Sequence, residues 1–367
     1  MGRSNRRYIS WVAGLFAVML IATACGSGGG ADPVDEAAGG ATAAGDEAAE
    51  GEGSGREIIR FAFAPDPVWD YLTDTGTLAE WEEEHNLRIV TSESWDEFAY
   101  FAGGHGDIVS LGTHELPVLE EETGVKVVAF GQYNHQRVPL MRKAGDPYET
   151  LEDVPEGSTT CASSAVSNTI VWSVIADQLH DINYRVGEGR YDIVVQDHFV
   201  MPELVLRGEC TVAAPIPEAA ANLLRQGELE IMYDGRGPWQ IYRDDICECD
   251  HNGIMSNLFV ATEEWYDSHP EEAAAFLELW ERGLQLWNEN KQEIVGLYPQ
   301  HFSVETEEDI EWMIEFMSGE NDWFAETVYM DEAWIEEEKK FYDYMIEADW
   351  MTEETVIPRF EALTPSS

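Results

Sequence analysis

Several loops in this chain carry residue types suited to holding a small molecule. Ala162-Ser163-Ser164-Ala165-Val166-Ser167-Asn168 stands where an apolar strand pattern gives way to a helical one. Free backbone N–H groups at such a helix start, with the Ser163 and Ser164 hydroxyls, suit a carboxylate, a sulfonate or a ring carbonyl. A plain N-cap is the competing role. Ala64-Pro65-Asp66-Pro67-Val68-Trp69 follows another strand pattern and is stiffened by two prolines. It offers Trp69 as a stacking face and Asp66 as a partner for a cation or an N–H donor; core packing and plain solvation are the alternatives. Trp95 sits at a loop-to-helix junction. Thr113 and His114 follow a further strand, with Thr113 expected to cap a helix and His114 to donate or accept. Tyr133, Asn134 and His135 place polar tips after the next strand, and Trp239 in Gly237-Pro238-Trp239 is placed to close over a bound molecule.

Motifs for bond-making chemistry are missing. There is no P-loop, no G-x-S-x-G elbow and no H-E-x-x-H helix. With 72 Asp and Glu, a glycosidase-like carboxylate pair cannot be picked out by count. The expectation is a binding protein, not an enzyme, with no cofactor. Cys161, Cys210, Cys247 and Cys249 allow three pairings, and Cys161 with Cys210, on strands expected to be neighbours, is the first choice. Cys247-Glu248-Cys249-Asp250-His251 has zinc-type ligands, but its spacing is not that of a zinc knuckle, so no metal is expected.

These residues need elements to position them. From Ile58 onward strand patterns alternate with helical ones, as in α/β lobes with mainly parallel sheets. Strands are expected at 58–63, 87–91, 107–111, 125–130 and 138–142, with a helix over 78–85, making one lobe. Turn signals at Gly145-Asp146-Pro147 and Pro155-Glu156-Gly157 open a second set. It has strands at 158–161, 191–195 and 210–214 and helices at 164–179, 201–206 and 218–226. A strand at 253–261 follows, then helices at 270–290, 306–317, 331–348 and 352–360, expected to pack on the first lobe. Trp280, Leu284 and Trp287 fall at helical spacing and read as a core stripe.

Arg3, Arg6 and Arg7 precede an uncharged apolar run from Tyr8 to Ala24, a secretory signal too short for a comfortable membrane span. Leu20-Ile21-Ala22-Thr23-Ala24-Cys25 resembles a bacterial lipobox, with Ala22 where Leu is usual. Residues 1–25 are then a lipoprotein signal and Cys25 the acylated N-terminus. Residues 26–56 are Gly, Ala, Glu and Asp without an aromatic, an acidic tether that can bury no core. The expected address is the extracytoplasmic face of the cell membrane, where disulfides persist. The chain has 367 residues, 44% hydrophobic, enough for a large two-lobed domain or two domains. Its formal net charge of -51 repels phosphate backbones and excludes nucleic acid as a partner. Such self-repulsion calls for screening and suggests saline surroundings, with a generally acidic secretome as the alternative.

The order of elements resembles the periplasmic solute-binding proteins of ABC importers, in the group serving nitrate, alkanesulfonate and thiamine-precursor pyrimidine uptake. The resemblance runs over about residues 58–360. Gly76-Thr77-Leu78-Ala79-Glu80-Trp81 looks like the first-lobe helix of that group, and Gly104-His105-Gly106-Asp107-Ile108-Val109 resembles its step into a ligand loop. Tyr148-Glu149-Thr150-Leu151 resembles the entry to the second lobe, and Ser268-His269-Pro270-Glu271 the start of the C-terminal helices. The resemblance implies an α/β, two-lobed, type II clamp with additional C-terminal helices. Its lobes would be 57–142 with 254–367, and 143–253, joined by crossings near 138–142 and 253–261. It further implies ligand contact at Trp95, capture of a small solute, delivery to ABC permease subunits with a separate ATPase, and a monomer. Trp69, Trp95, Tyr133, Trp172 and Trp239 supply stacking faces for a planar, nitrogen-containing solute such as a pyrimidine. An alkanesulfonate or nitrate-type anion at Ser163 and Ser164 is the alternative, as is a surface interaction protein without a small ligand.

Overall fold

The computed structural model describes residues 55–365 apart from Asp250 and Asn252. The expected signal peptide, Cys25 and the tether as far as residue 54 lie outside the described residues. Among the described residues no helix is long and apolar enough to cross a membrane.

The strands in chain order are β1 (Glu57–Phe63), β2 (Leu87–Glu93), β3 (Ile108–Leu111), β4 (Val127–His135), β5 (Met141–Lys143), β6 (Thr159–Ala162), β7 (Asp192–Val195), β8 (Val212–Ala213), β9 (Leu229–Ile231), β10 (Met255–Thr262) and β11 (Arg359–Phe360). The helices are α1 (Pro67–Asp74), α2 (Thr77–His85), α3 (Glu97–Ala102), α4 (Leu116–Thr123), α5 (Ser167–His180), α6 (Met201–Leu206), α7 (Ala221–Arg225), α8 (Met232–Gly235), α9 (Pro238–Ile241), α10 (Glu263–Ser268), α11 (Pro270–Leu297), α12 (Glu307–Phe316) and α13 (Glu332–Glu347).

Two sheets result. The first has the order β11-β4-β10-β3-β1-β2, with β1 parallel to β2 and β3, and β10 antiparallel to β3 and β4. The second has the order β7-β6-β8-β5-β9, with β6 parallel to β7 and β8 and β5 antiparallel to β8 and β9. The chain passes between sheets after β4 and returns before β10. All nine residues of β4 are buried, so its sequence reads as an apolar run into a polar tip instead of an alternation.

The first sheet packs its aromatics against α11. Phe61 meets Phe276 at 5.0 Å between centroids and Trp280 at 5.8 Å, both edge-on, a favoured aromatic geometry. Gly283 lets α1 approach α11 closely, since a Cβ there would stand 2.9 Å from Val68 Cγ1. The second sheet's core is built around Trp172, whose indole N–H donates to the Val138 carbonyl at 3.0 Å. Trp172 is therefore a core residue and not a stacking face for solute.

Five expectations need correction. The strand expected at 138–142 is β5 at 141–143 and joins the second sheet, residues 136–140 forming the crossing. The helix expected at 352–360 is a turn followed by β11, which pairs parallel with β4. Pro358 removes a helical N–H and disfavours helical backbone at Ile357. The helix expected from Ser164 begins at Ser167, because the Ser164 hydroxyl accepts from the Val166 N–H at 3.1 Å and forms a turn there. The stretch after β1 is a helix and not a loop: Asp66 caps α1 and Pro67 occupies its first turn. Finally, α13 does not rest on the first lobe alone. Ile335 packs with the first sheet, while Phe341, Tyr342 and Met345 enter the core of the second.

Candidate functional site

Between the two sheets lies a cleft of about 860 Å³. Its walls come from the carboxyl ends of parallel strands on both sides, where open α/β sheets present their loops. Ala64 follows β1, Ser94 to Phe98 follow β2, and Ser110 lies near the end of β3. Opposite them, Ser163 to Asn168 follow β6, Val195 ends β7 and Gln196 to His198 follow it, and Ile216 follows β8. Arg137 and Val138, in the crossing after β4, line it as well.

Three residues singled out in the sequence meet here: Trp95, Ser163 and Ser164. Trp95 is 44% exposed, and its ring approaches His198 at 6.2 Å and Phe199 at 5.9 Å across the mouth. Ser163 accepts from the Asn168 side-chain amide at 3.1 Å, and the Ser164 carbonyl accepts from the Thr169 hydroxyl at 2.6 Å.

The other six do not line the cleft. Asp66 accepts from the Val68 N–H at 2.8 Å, the Trp69 N–H at 3.1 Å and the Tyr133 hydroxyl, so cap and core take up its carboxylate. Burial raises its pKa above the usual value despite those bonds. Trp69 is buried and stacked on Trp280 at 5.7 Å, and Tyr133 is stacked on Phe259 at 5.4 Å. Thr113 is no cap: its hydroxyl donates to Glu338 in the interior. His114 is buried beside it, where desolvation lowers its pKa to about 3. Trp239 is buried against His135 at 4.9 Å and borders a smaller pocket that shares Arg137 with the cleft.

Cleft residues that the sequence reading passed over carry most of the charge. Glu97, in the first turn of α3, is half-buried; desolvation, with Glu115 adding to it, pushes its carboxyl up to about 8. Glu115 accepts from the Gly112 N–H at 2.8 Å and is pushed up to about 7, again chiefly by desolvation. The Ser167 hydroxyl, at the start of α5 on the opposite wall, opposes that rise. Arg137 gives Nε and Nη2 to Glu218 Oε1 at 3.1 and 2.8 Å, and its guanidinium lies over the Trp323 ring at 4.9 Å. His198 Nδ1 accepts from the Ile216 N–H at 3.1 Å, which fixes a neutral tautomer, and burial lowers its pKa to about 4. The rule that flagged Ser163 would also have flagged Asp197 and His198, since they directly follow the strand expected at 191–195.

Away from the cleft, Cys161 and Cys210 are joined, Cα atoms 5.9 Å apart, tying β6 to the turn before β8. Cys247 and Cys249 are bonded to each other. They lie close enough to Glu337 to share an ion, but the bonded sulfurs offer no thiolate.

No family model matches this chain, and no curated protein matches it in sequence. Solved structures do match in shape. The alkanesulfonate-binding protein SsuA from Xanthomonas axonopodis pv. citri bound to MOPS gives a TM-score of 0.62 at 9% identity, covering 82% of this chain and 96% of that one. The periplasmic aliphatic sulphonate-binding protein SsuA from Escherichia coli gives 0.61 at 12% identity, with 82% and 96% covered. The zinc-bound ligand-binding component of an ABC-type import system from Staphylococcus aureus gives 0.56 at 14% identity, with 84% and 97% covered. The chain therefore has the two-lobed periplasmic-binding-protein fold.

Proposed function

We propose that this chain is an extracytoplasmic solute-binding lipoprotein of an ABC importer. Anchored through Cys25 and held off the membrane by its tether, it captures a small organic solute as a monomer and hands it to permease subunits. It makes and breaks no bond. The two lobes, one built on each sheet, would close on the solute about the crossings after β4 and before β10. The observation that carries this reading is the cleft itself, walled on both sides by loops at strand carboxyl ends. Structural neighbours described as sulphonate-binding proteins and as an import-system component support it.

For the solute, a planar nitrogen-containing compound is favoured, because Trp95 gives a stacking face and Glu97 and Glu115 accept from N–H groups. A sulfonate-type anion is the second reading, favoured by the start of α5 in the wall. Small-angle scattering of the chain with a mixed solute library tests capture: the radius of gyration should fall with at least one solute. A radius indifferent to every solute would count against the reading. Indole quenching then separates the two solute classes, since pyrimidines should quench and saturate; saturation by alkanesulfonates alone supports the second reading.

A further inference from the structure

Resting on that reading, we infer that the cleft takes a solute bearing a positive charge on a flat nitrogen-containing group, held by Glu97 and Glu115 with Trp95 over its face. The charge lining the cleft supports this. Asp96, Glu97, Glu115 and Asp197 line the space against one guanidinium, that of Arg137. Glu97, held up at about 8, gives up its proton at neutral pH only beside a guest that brings a positive charge. Arg137 is held by Glu218 and lies over Trp323, and its charge acts on Glu97 and His198 within the cleft. His198 accepts a backbone N–H through Nδ1 and adds no positive charge.

The feature that would favour an anion is also in use. The start of α5 lies close to Glu115, whose ionised form the Ser167 hydroxyl favours, so the chain already sets an acidic group of its own there. Among the described residues neither Glu97 nor Glu115 forms an ion pair with a basic side chain, although both are withdrawn from water. A carboxyl whose ionised form is disfavoured by burial gains most from a guest that brings a positive charge within hydrogen-bond reach. Trp95 adds an exposed indole beside them, and an indole face attracts a cation within about 6 Å of its centroid. An amidinium or a protonated amino-heterocycle meets all three demands: charge, paired N–H donors and a flat face.

Three rings of similar size and different charge test the inference on the full chain: benzamidinium, benzamide and benzenesulfonate. Thermal shift should show benzamidinium half-saturating at about tenfold lower concentration than benzamide or less, as one charge-assisted bond of about 1.5 kcal/mol gives. Benzenesulfonate should leave the melting point unmoved. Glu97→Gln and Glu115→Gln should each remove most of the preference for benzamidinium over benzamide; a preference kept in both variants would overturn the assignment. Should either variant fail to fold, the three-probe comparison on the unaltered chain decides alone. Binding of benzenesulfonate without benzamidinium overturns the cationic class and leaves solute capture standing. No shift with any probe overturns it too, and capture falls with it only if scattering is also indifferent to the solute library.

Discussion

Glu97 holds its proton more tightly in the folded chain than out of it, with a folded value of about 8 against 4.5 for an ordinary glutamate. The stability this lends is complete below the unfolded value and is lost as pH rises through the folded one, because the unfolded chain gives up the proton first. Glu97→Gln removes that loss. Melting of the variant should match the parent near pH 4.5 and exceed it increasingly up to about pH 8. Equal melting at the alkaline end would contradict the burial assigned to this carboxylate. At this scale the sequence revealed only part of the site. Ser163 and Ser164 were legible because they follow a strand, and Trp95 because it stands at a loop-to-helix junction where the resembled family contacts solute. Asp66 was misread because an acid ahead of a proline, after a strand, equally spells an N-cap, which is its role here. Glu97 and Glu115 were not legible among 72 acids, since only burial distinguishes them.

Among the elements, α13 has the widest reach. Its Glu338 accepts from the Met255 N–H at 3.0 Å, lies 2.8 Å from His251 Nε2 and takes the Thr113 hydroxyl, all out of water. One carboxylate thus ties the helix to the start of β10 and to the turn after β3. Glu338→Ala would leave those groups buried without their acceptor. Urea titration should show a loss of about 3–5 kcal/mol, with Glu338→Gln losing less. A loss under about 1 kcal/mol would mean that the helix is held by its apolar face alone. The periodicity of α13 was visible in the sequence but its partner was not, because an apolar stripe states what is buried and not against which sheet. The misreading at 352–360 has the opposite cause: composition there tolerates a helix, and Pro358 with the open edge of β4 decides otherwise.

For the molecule as a whole, a net charge of -51 works against compactness at every low ionic strength. Screening shortens the reach of that repulsion to about 10 Å at 0.1 M salt and about 3 Å at 1 M. Melting should therefore climb with added sodium chloride and keep climbing with potassium chloride at equal ionic strength. A flat response would dissociate the composition from any saline setting. Fold class was legible at this scale because strands and helices alternate in the order a clamp requires, whereas the strand expected at 138–142 was counted with the first lobe and belongs to the second sheet.

The place of β11 bears on how the chain is made. β4 is synthesised early, yet its neighbours β10 and β11 come from residues 255–262 and 359–360. While a ribosome is still reading the second half, the first sheet lacks both flanks of β4, and such distant pairing is slow to form. β4 therefore stays without its flanking strands until residues far along the chain are available to pair with it, and folding of the first sheet waits on them.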